Sequence, residues 1–383
     1  MLIRLLIGSL LLIALPVHAA KPLTVAELHQ FLLAQNQEKT SDGKEAERID
    51  ALQLSEQLTD ATLESWKAEM QLRPKSALAL RLLADSSAML MPPGHELPQK
   101  AAPGNAEIQA MLQAAVHYVV TNMHQLPNFL ATRETWRFDD EPGVNPNGNT
   151  HVPPALRLSG SSREELTYRN GEEVDAESAR SGKKNEAKAG PPLGLISQGE
   201  FGLILATVLR DAAHGKIAFS RREETPAGEA AVFRFEIPAA ASHYLVDYCC
   251  VLELNKTGDA ALSLHAPSDP REIPGNAYHG TPAYHGELFV APDSGAILRL
   301  NLESELRPTD PVLQSFVAIR YAAVEIGGKS YICPARSLAM MRVRVLIPGE
   351  TAERIVRRIN ETSFTDYHRF GTNVTILPAE TLP

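Results

Sequence analysis

The chain has 383 residues, with 37 lysines and arginines against 46 aspartates and glutamates, and its net charge of −9 argues against a nucleic-acid-binding role. At about 150 residues per domain, this length suggests two structural units.

Met1-Leu2-Ile3-Arg4 gives a positive start, Leu5 to Pro16 an apolar run, and Val17-His18-Ala19 the small residues of a cleavage point, the layout of a secretory signal over residues 1–19. The run is shorter than the roughly 20 residues that cross a bilayer. No cysteine follows it to carry a lipid. The expectation is an exported soluble protein, periplasmic or secreted, whose mature chain has no transmembrane segment.

Residues 20–126 read as a helical domain. Thr24-Val25-Ala26-Glu27 has the form of a capping box, with Val25, Leu28, Phe31 and Leu32 following at helical spacing. Leu63, Trp66 and Met70 form a second stripe, Leu78, Leu82 and Met89 a third, and Ile108, Leu112, Ala115, Val119 and Met123 a fourth. Pro74, Pro92-Pro93-Gly94 and Pro103-Gly104 separate them.

Residues 127–383 read as an antiparallel β-domain. Phe129 to Phe138 is its first strand, and Asn170-Gly171 marks a tight hairpin. Asp175 to Pro192 is too polar to bury anything and reads as a flexible surface loop. Ser197-Gln198-Gly199-Glu200 has the form of a second capping box, opening a helix with Phe201, Leu205, Val208 and Ala212 on one face. Tyr284 to Leu346 reads as a β-meander, turning at Pro292-Asp293-Ser294-Gly295 and at Gly327-Gly328. In its second strand Leu298, Leu300 and Leu302 are expected on one face, and Arg299, Asn301 and Glu303 on the other. Phe364 to Arg369 and Val374 to Leu377 close the chain.

Export opens the possibility of a disulfide among Cys249, Cys250 and Cys333. A bridge between sequence neighbours is a strained ring, so the expected pair is Cys250 with Cys333. The arginines from Arg336 to Arg358 are expected on a solvated strand face, with an anionic partner or lipid headgroup as the other reading.

Reactive constellations are weak. Gly194 to Gly199 misses the nucleophile-elbow spacing by one residue. His95-Glu96 lacks the second histidine of a zinc-protease helix. His279 and His285 share a side of extended chain but have no further ligand at metal spacing. The sequence therefore predicts no enzyme, no catalytic residue, no metal and no cofactor.

Leu126-Pro127-Asn128-Phe129, Gly199-Glu200-Phe201-Gly202 and Ser242-His243-Tyr244 carry a resemblance, over almost the whole mature chain, to a group of uncharacterised exported proteins abundant in acidobacteria. That resemblance implies no activity. Gly286 to Val290, Asp293-Ser294-Gly295, Ile297 to Leu300, and Val324 to Tyr331 followed by Pro334 resemble the strand rhythm of the periplasmic lipoprotein-sorting carriers. That likeness spans Phe129 to Leu377. It implies a curved antiparallel sheet of about eleven strands, an incomplete β-barrel covered by helices, with acyl chains held on the concave face. Together with the helical domain read at residues 20–126, which is extra to that family, the expected fold is α+β.

Two functions are compatible with this reading. One is a binding protein for a lipid or lipidated protein, with Phe233, Phe235, Leu298, Leu300 and Leu302 as walls of the hollow. The other is a non-enzymatic scaffold that meets an envelope protein and whose sheet is filled.

Overall fold

The computed structural model describes residues 21–140, 143–144, 150–151, 156–174, 194–250, 261–266, 277–346 and 353–370. The expected leader, the polar stretch from Asp175 to Pro192 and the strand expected at Val374 to Leu377 lie outside them.

The helices α1 (Val25–Gln37), α2 (Asp42–Asp50), α3 (Asp60–Met70), α4 (Pro74–Ser86) and α5 (Asn105–Gln125) come first. The Thr24 hydroxyl accepts from the Glu27 N–H while the Glu27 carboxylate accepts from the Thr24 N–H at 2.8 Å, the expected capping box. Proline opens α4, where its missing N–H costs nothing because a first-turn N–H has no helical partner. Leu28, Leu32, Ile49, Leu63, Trp66 and Leu80 bring α1 to α4 into one core.

The strands before the last helix are β1 (Phe129–Asp139), β2 (Gly143–Val144), β3 (Thr150–His151), β4 (Arg157–Arg169), β5 (Glu172–Val174) and β6 (Gly194–Gln198). After α6 (Leu203–Ala212) come β7 (Lys216–Thr225), β8 (Gly228–Ile237), β9 (Leu245–Cys250), β10 (Ala261–Ala266) and β11 (Tyr278–Gly280). The last are β12 (Tyr284–Val290), β13 (Ile297–Ser304), β14 (Val312–Ile326), β15 (Lys329–Leu346) and β16 (Glu353–Arg369). Ten of them form one sheet, ordered β5-β4-β1-β16-β15-β14-β13-β12-β8-β7, in which neighbours run antiparallel. Its edge strands β5 and β7 do not pair with each other, so the sheet is not closed into a barrel. A four-stranded sheet, β11-β9-β10-β6, lies apart from it. The fold is α+β, with helices leading and covering a large antiparallel sheet.

Turn chemistry acts where the sequence places it. Asn170 and Gly171 have φ of +55° and +89°, Gly327 and Gly328 +60° and +80°, the paired positive values of two-residue hairpins whose twist matches the flanking strands.

One sheet face carries Phe233, Phe235, Leu288, Leu300, Leu302 and Ile319, buried against α5, α6 and the small sheet through Met111, Ala115, Ile204, Val208 and Val246. The opposite face carries Phe316, Leu338 and Met340, which pack against Leu82 and Ala88 from α4 and the turn after it. That second face also carries the buried charges of Arg221, Glu287 and Arg299.

Four expectations need correction. Ser197 to Glu200 does not cap a helix: Gly194–Gln198 pairs with Ala261–Ala266 as a strand, and α6 begins only after Gly202, without a side-chain cap. Pairing with a neighbouring strand outweighs a four-residue local signal here. Leu298 does not share a face with Leu300 and Leu302. Phe289 pairs with Arg299 but Val290 with Ile297, so Leu298 is an extra residue in a β-bulge and packs with Val232 and Phe289 on the other side. Cys333 is a buried free thiol among Phe129, Tyr168 and Phe364, on a strand of the large sheet, whereas Cys250 ends a strand of the small one opposite Ala266. The two cysteines are thus not on neighbouring strands, and the expected disulfide is absent. Arg336 and Arg357 do not lie on a solvated face, because the helical segment covers them and supplies their carboxylate partners.

Candidate functional site

The charged face of the sheet has an unusual register. Arg299 on β13 lies opposite Arg320 on β14, and Arg320 lies opposite Arg336 on β15, so three arginines cross adjacent strands in one row. Like charges directly opposite each other destabilise a sheet. Acids from the helical segment offset this: Asp60, the first residue of α3, sits 2.5 Å from Arg320 and 3.9 Å from Arg299, and Asp85 near the end of α4 sits 2.6 Å from Arg336 and 3.5 Å from Arg320. Glu361 on β16 joins Arg336 and Arg81, each at 2.9 Å. Arg299 also donates to Asn301, whose amide donates to the Ala88 carbonyl, and its guanidinium lies 5.2 Å from the centre of the Phe289 ring.

A second knot lies beside this row. Arg221 on β7 holds the fully buried Glu287 with two hydrogen bonds of 2.7 and 3.0 Å and also pairs with Glu223, while Arg234 reaches Glu287 at 3.0 Å. Burial opposes the charge of Arg221 and Arg336, but their carboxylate partners outweigh it and hold both guanidinium pKa values above the ordinary range. Arg320 is different. Burial and the repulsion of Arg299 and Arg336 exceed the attraction of Asp60 and Asp85, so its pKa is lowered. Its Nε has no hydrogen-bond partner. Glu223 shows the complementary sign, its carboxyl pushed up by burial against the pull of Arg221 and Arg299. The row is undercompensated at its middle member.

The space in front of it follows from strand lengths. β14 runs to Ile326, but β13 pairs with it only from Arg299–Arg320 to Glu303–Phe316. From Tyr321 onward β14 has β15 alone as its partner, and a notch opens in the sheet beyond Ile297. The turn before β13 is fixed by Gly295, with φ of +71°, where a Cβ would stand 2.4 Å from the Ala114 backbone of α5. On the charged side of the notch is a cleft of about 450 Å³ whose walls include Asp60, Glu223, Leu298, Arg299, Arg320 and Arg336. The rest of its wall is mixed, with Pro226, Ala322, Ala323 and Ala335 apolar and Glu224 and Thr225 polar. On the helix side is a pocket of about 180 Å³ walled by Tyr118, Val119, Phe201, Leu205 and Ile297. Tyr321 and Ile332 belong to the walls of both. A hollow of about 520 Å³ at Asn128, Asn170 and Phe370 has one charged wall residue, Arg369.

The residues expected from the sequence fall elsewhere. Phe233, Phe235, Leu300 and Leu302 have no exposed surface and sit inside the main core. Leu298 alone of that set reaches the cleft. His279 on β11 pairs with Asp247 at 3.2 Å in the small sheet, while His285 on β12 faces Glu305 at 3.4 Å in the large one. His95 is exposed beside Glu96, whose carboxylate accepts from Thr59 and Thr62. Among the described residues no group of three or more metal-ligating side chains converges. His243 and Tyr284 both hydrogen-bond the fully buried Asp211, which ties the end of α6 to the starts of β9 and β12. What the site offers chemically is an undercompensated cation beside apolar walls. Arg336 belongs to the run of arginines for which an anionic partner is the other reading, whereas Arg299 and Arg320 escaped sequence reasoning because the alignment of the row depends on register between strands. The signal available was an arginine on each of the three meander strands, one on β13, one on β14 and three on β15.

Compared with protein-family models, with curated proteins and with solved structures, the chain matches none of them.

Proposed function

We propose that the protein is an exported binding protein for an amphiphilic anion, a lipid or related molecule with a carboxylate or phosphate head, and that it carries out no chemistry on it. The observation that carries this reading is the row Arg299, Arg320, Arg336 opening onto a cleft of about 450 Å³ whose walls include the apolar Leu298, Pro226, Ala322, Ala323 and Ala335, within the size range of small-molecule sites. A guanidinium offers a planar fork that binds a carboxylate or phosphate through two hydrogen bonds, and a low-dielectric surround strengthens such contacts. The leader-like residues 1–19 support action outside the cytoplasm.

The test is titration of the purified protein with dodecanoate and with dodecanol, an anion and a neutral molecule of the same chain length. Dodecanoate should bind saturably and dodecanol at least about tenfold more weakly. Arg320→Met, checked for folding by circular dichroism, should remove that preference. Equal affinity for the two ligands, or a preference that survives in Arg320→Met, would refute the reading. A second reading is the scaffold that meets an envelope protein, and the filling of the apolar face around Phe233, Leu300 and Leu302 favours it. It predicts no saturable binding of either ligand.

A further inference from the structure

We propose that the sheet is a passage as well as a platform: a ligand whose head is held at Arg320 threads its tail through the notch beyond Ile297 into the apolar pocket under α5 and α6. This rests on the anion-binding reading above. Three observations carry it. First, the two cavities share walls, since Tyr321 and Ile332 line both. Second, Ile297 lines the helix-side pocket while the bulge places the next two residues, Leu298 and Arg299, together on the cleft side, at the point where β13 begins. Third, Arg320 and Tyr321 are consecutive on β14, so the head site and the tail wall are separated by about 3.3 Å along the strand.

An unbroken antiparallel sheet blocks such a route, because each strand is hydrogen-bonded to its neighbour along its length. Here the ladder between β13 and β14 stops at Arg299 and Arg320, and Tyr321 to Ile326 are paired on one side only. The far pocket is suited to hydrocarbon: Val119, Leu205 and Ile297 line it, and burial pushes the Tyr118 hydroxyl up to about 12 and the Tyr321 hydroxyl well above the ordinary range. The cleft is suited to a head, with Arg320 carrying an unpartnered Nε. Polarity thus changes sign across the sheet, which fixes the orientation of an amphiphile without any contact specific to its middle.

The test uses dodecanoate with a diazirine at its terminal carbon, photolysed on the full chain and mapped by peptide mass spectrometry. Labels should fall on Tyr118, Val119 or Leu205, and Leu205→Phe should lower affinity for dodecanoate by about tenfold while leaving octanoate unchanged. Labels confined to the Pro226–Ala227 turn and Ala322–Ala323 would overturn the passage and leave the anion site standing. No saturable labelling at all would remove both. Should Leu205→Phe fail to fold, the wild-type label map decides alone.

Discussion

On one face of the ten-stranded sheet, Phe233, Phe235, Leu288 and Leu300 meet two helices and a small sheet through apolar contact. On the other, Arg221, Arg299, Arg320 and Arg336 meet Glu287, Asp60 and Asp85 through ion pairs beneath α3 and α4. Both faces are buried, yet different physics holds them. Apolar burial is non-directional and scales with area, so the first face tolerates changes that conserve volume. Buried ion pairs depend on every partner, since removing one leaves an uncompensated charge in a poor solvent for it. A protein built this way is robust on one side of its sheet and exacting on the other, and the exacting side contains the cleft.

The largest expected effect breaks the robust face with a charge. Leu300→Glu places a carboxylate with no cation at a position of zero exposure, at a cost of several kcal/mol. Loss of the cooperative urea transition should follow, and a folded Leu300→Glu protein would show that this face is an open wall.

Next is the loss of one charge from the exacting face. Asp85→Asn leaves Arg336 short of its bidentate partner and should cost about 3–5 kcal/mol. The double variant Asp85→Leu/Arg336→Met should recover part of that loss, because an apolar pair replaces the Asp85–Arg336 contact at little cost while Arg320 and Glu361 each lose one partner. Chemical denaturation of the two variants compares them directly, and equal destabilisation in both would mean that packing, not charge, dominates this contact.

Acid should act on the same face more gently. Burial opposes ionisation of Asp85, but Arg336, Arg320 and Arg299 outweigh it and hold its carboxyl below the usual carboxylate range. With an unfolded value of about 3.9, its contribution is complete above about pH 4 and is lost as pH falls through the folded value. Glu223 works in the opposite sense, because burial raises its pKa and protonation relieves a cost. Urea midpoints measured across this range should fall on acidification in the wild type, and the fall should flatten in Asp85→Asn. Identical slopes would assign acid sensitivity to other carboxylates.

The smallest effect belongs to neither face. Thr24→Ala removes the cap of α1 and should cost about 1 kcal/mol in thermal denaturation, leaving ligand titrations unchanged. A changed titration would couple the first helix to the cleft.

The parts of this architecture that were legible in the sequence are those set by local chemistry. The Thr24 cap, the hairpins at Asn170-Gly171 and Gly327-Gly328, and the meander from Tyr284 to Leu346 depend on residues close in the chain. What escaped depends on distant residues. Strict alternation predicted Leu298 beside Leu300, and one inserted residue reversed it. The residues Ser197 to Glu200 carried a helix-start signal, but β10 claimed Gly194–Gln198 as a strand. Arg336 and Arg357 looked solvated because their acids, Asp85 and Asp50, stand far earlier in the chain. The cleft itself exists only where one strand outruns its neighbour, a property of lengths in register that no window of sequence contains.

The position of β16 between β1 and β15 has a consequence for how the molecule comes to exist. The strand β1 waits for β16, so this part of the sheet is completed only once Glu353–Arg369 has been synthesised. Joining segments so remote costs loop entropy before any contact repays it, and topologies of this kind fold slowly. Until then the β1–β4–β5 ribbon and the long meander are separate half-sheets. A chain cut before Glu353 would present two open edges, β1 and β15, to every other chain in the same state.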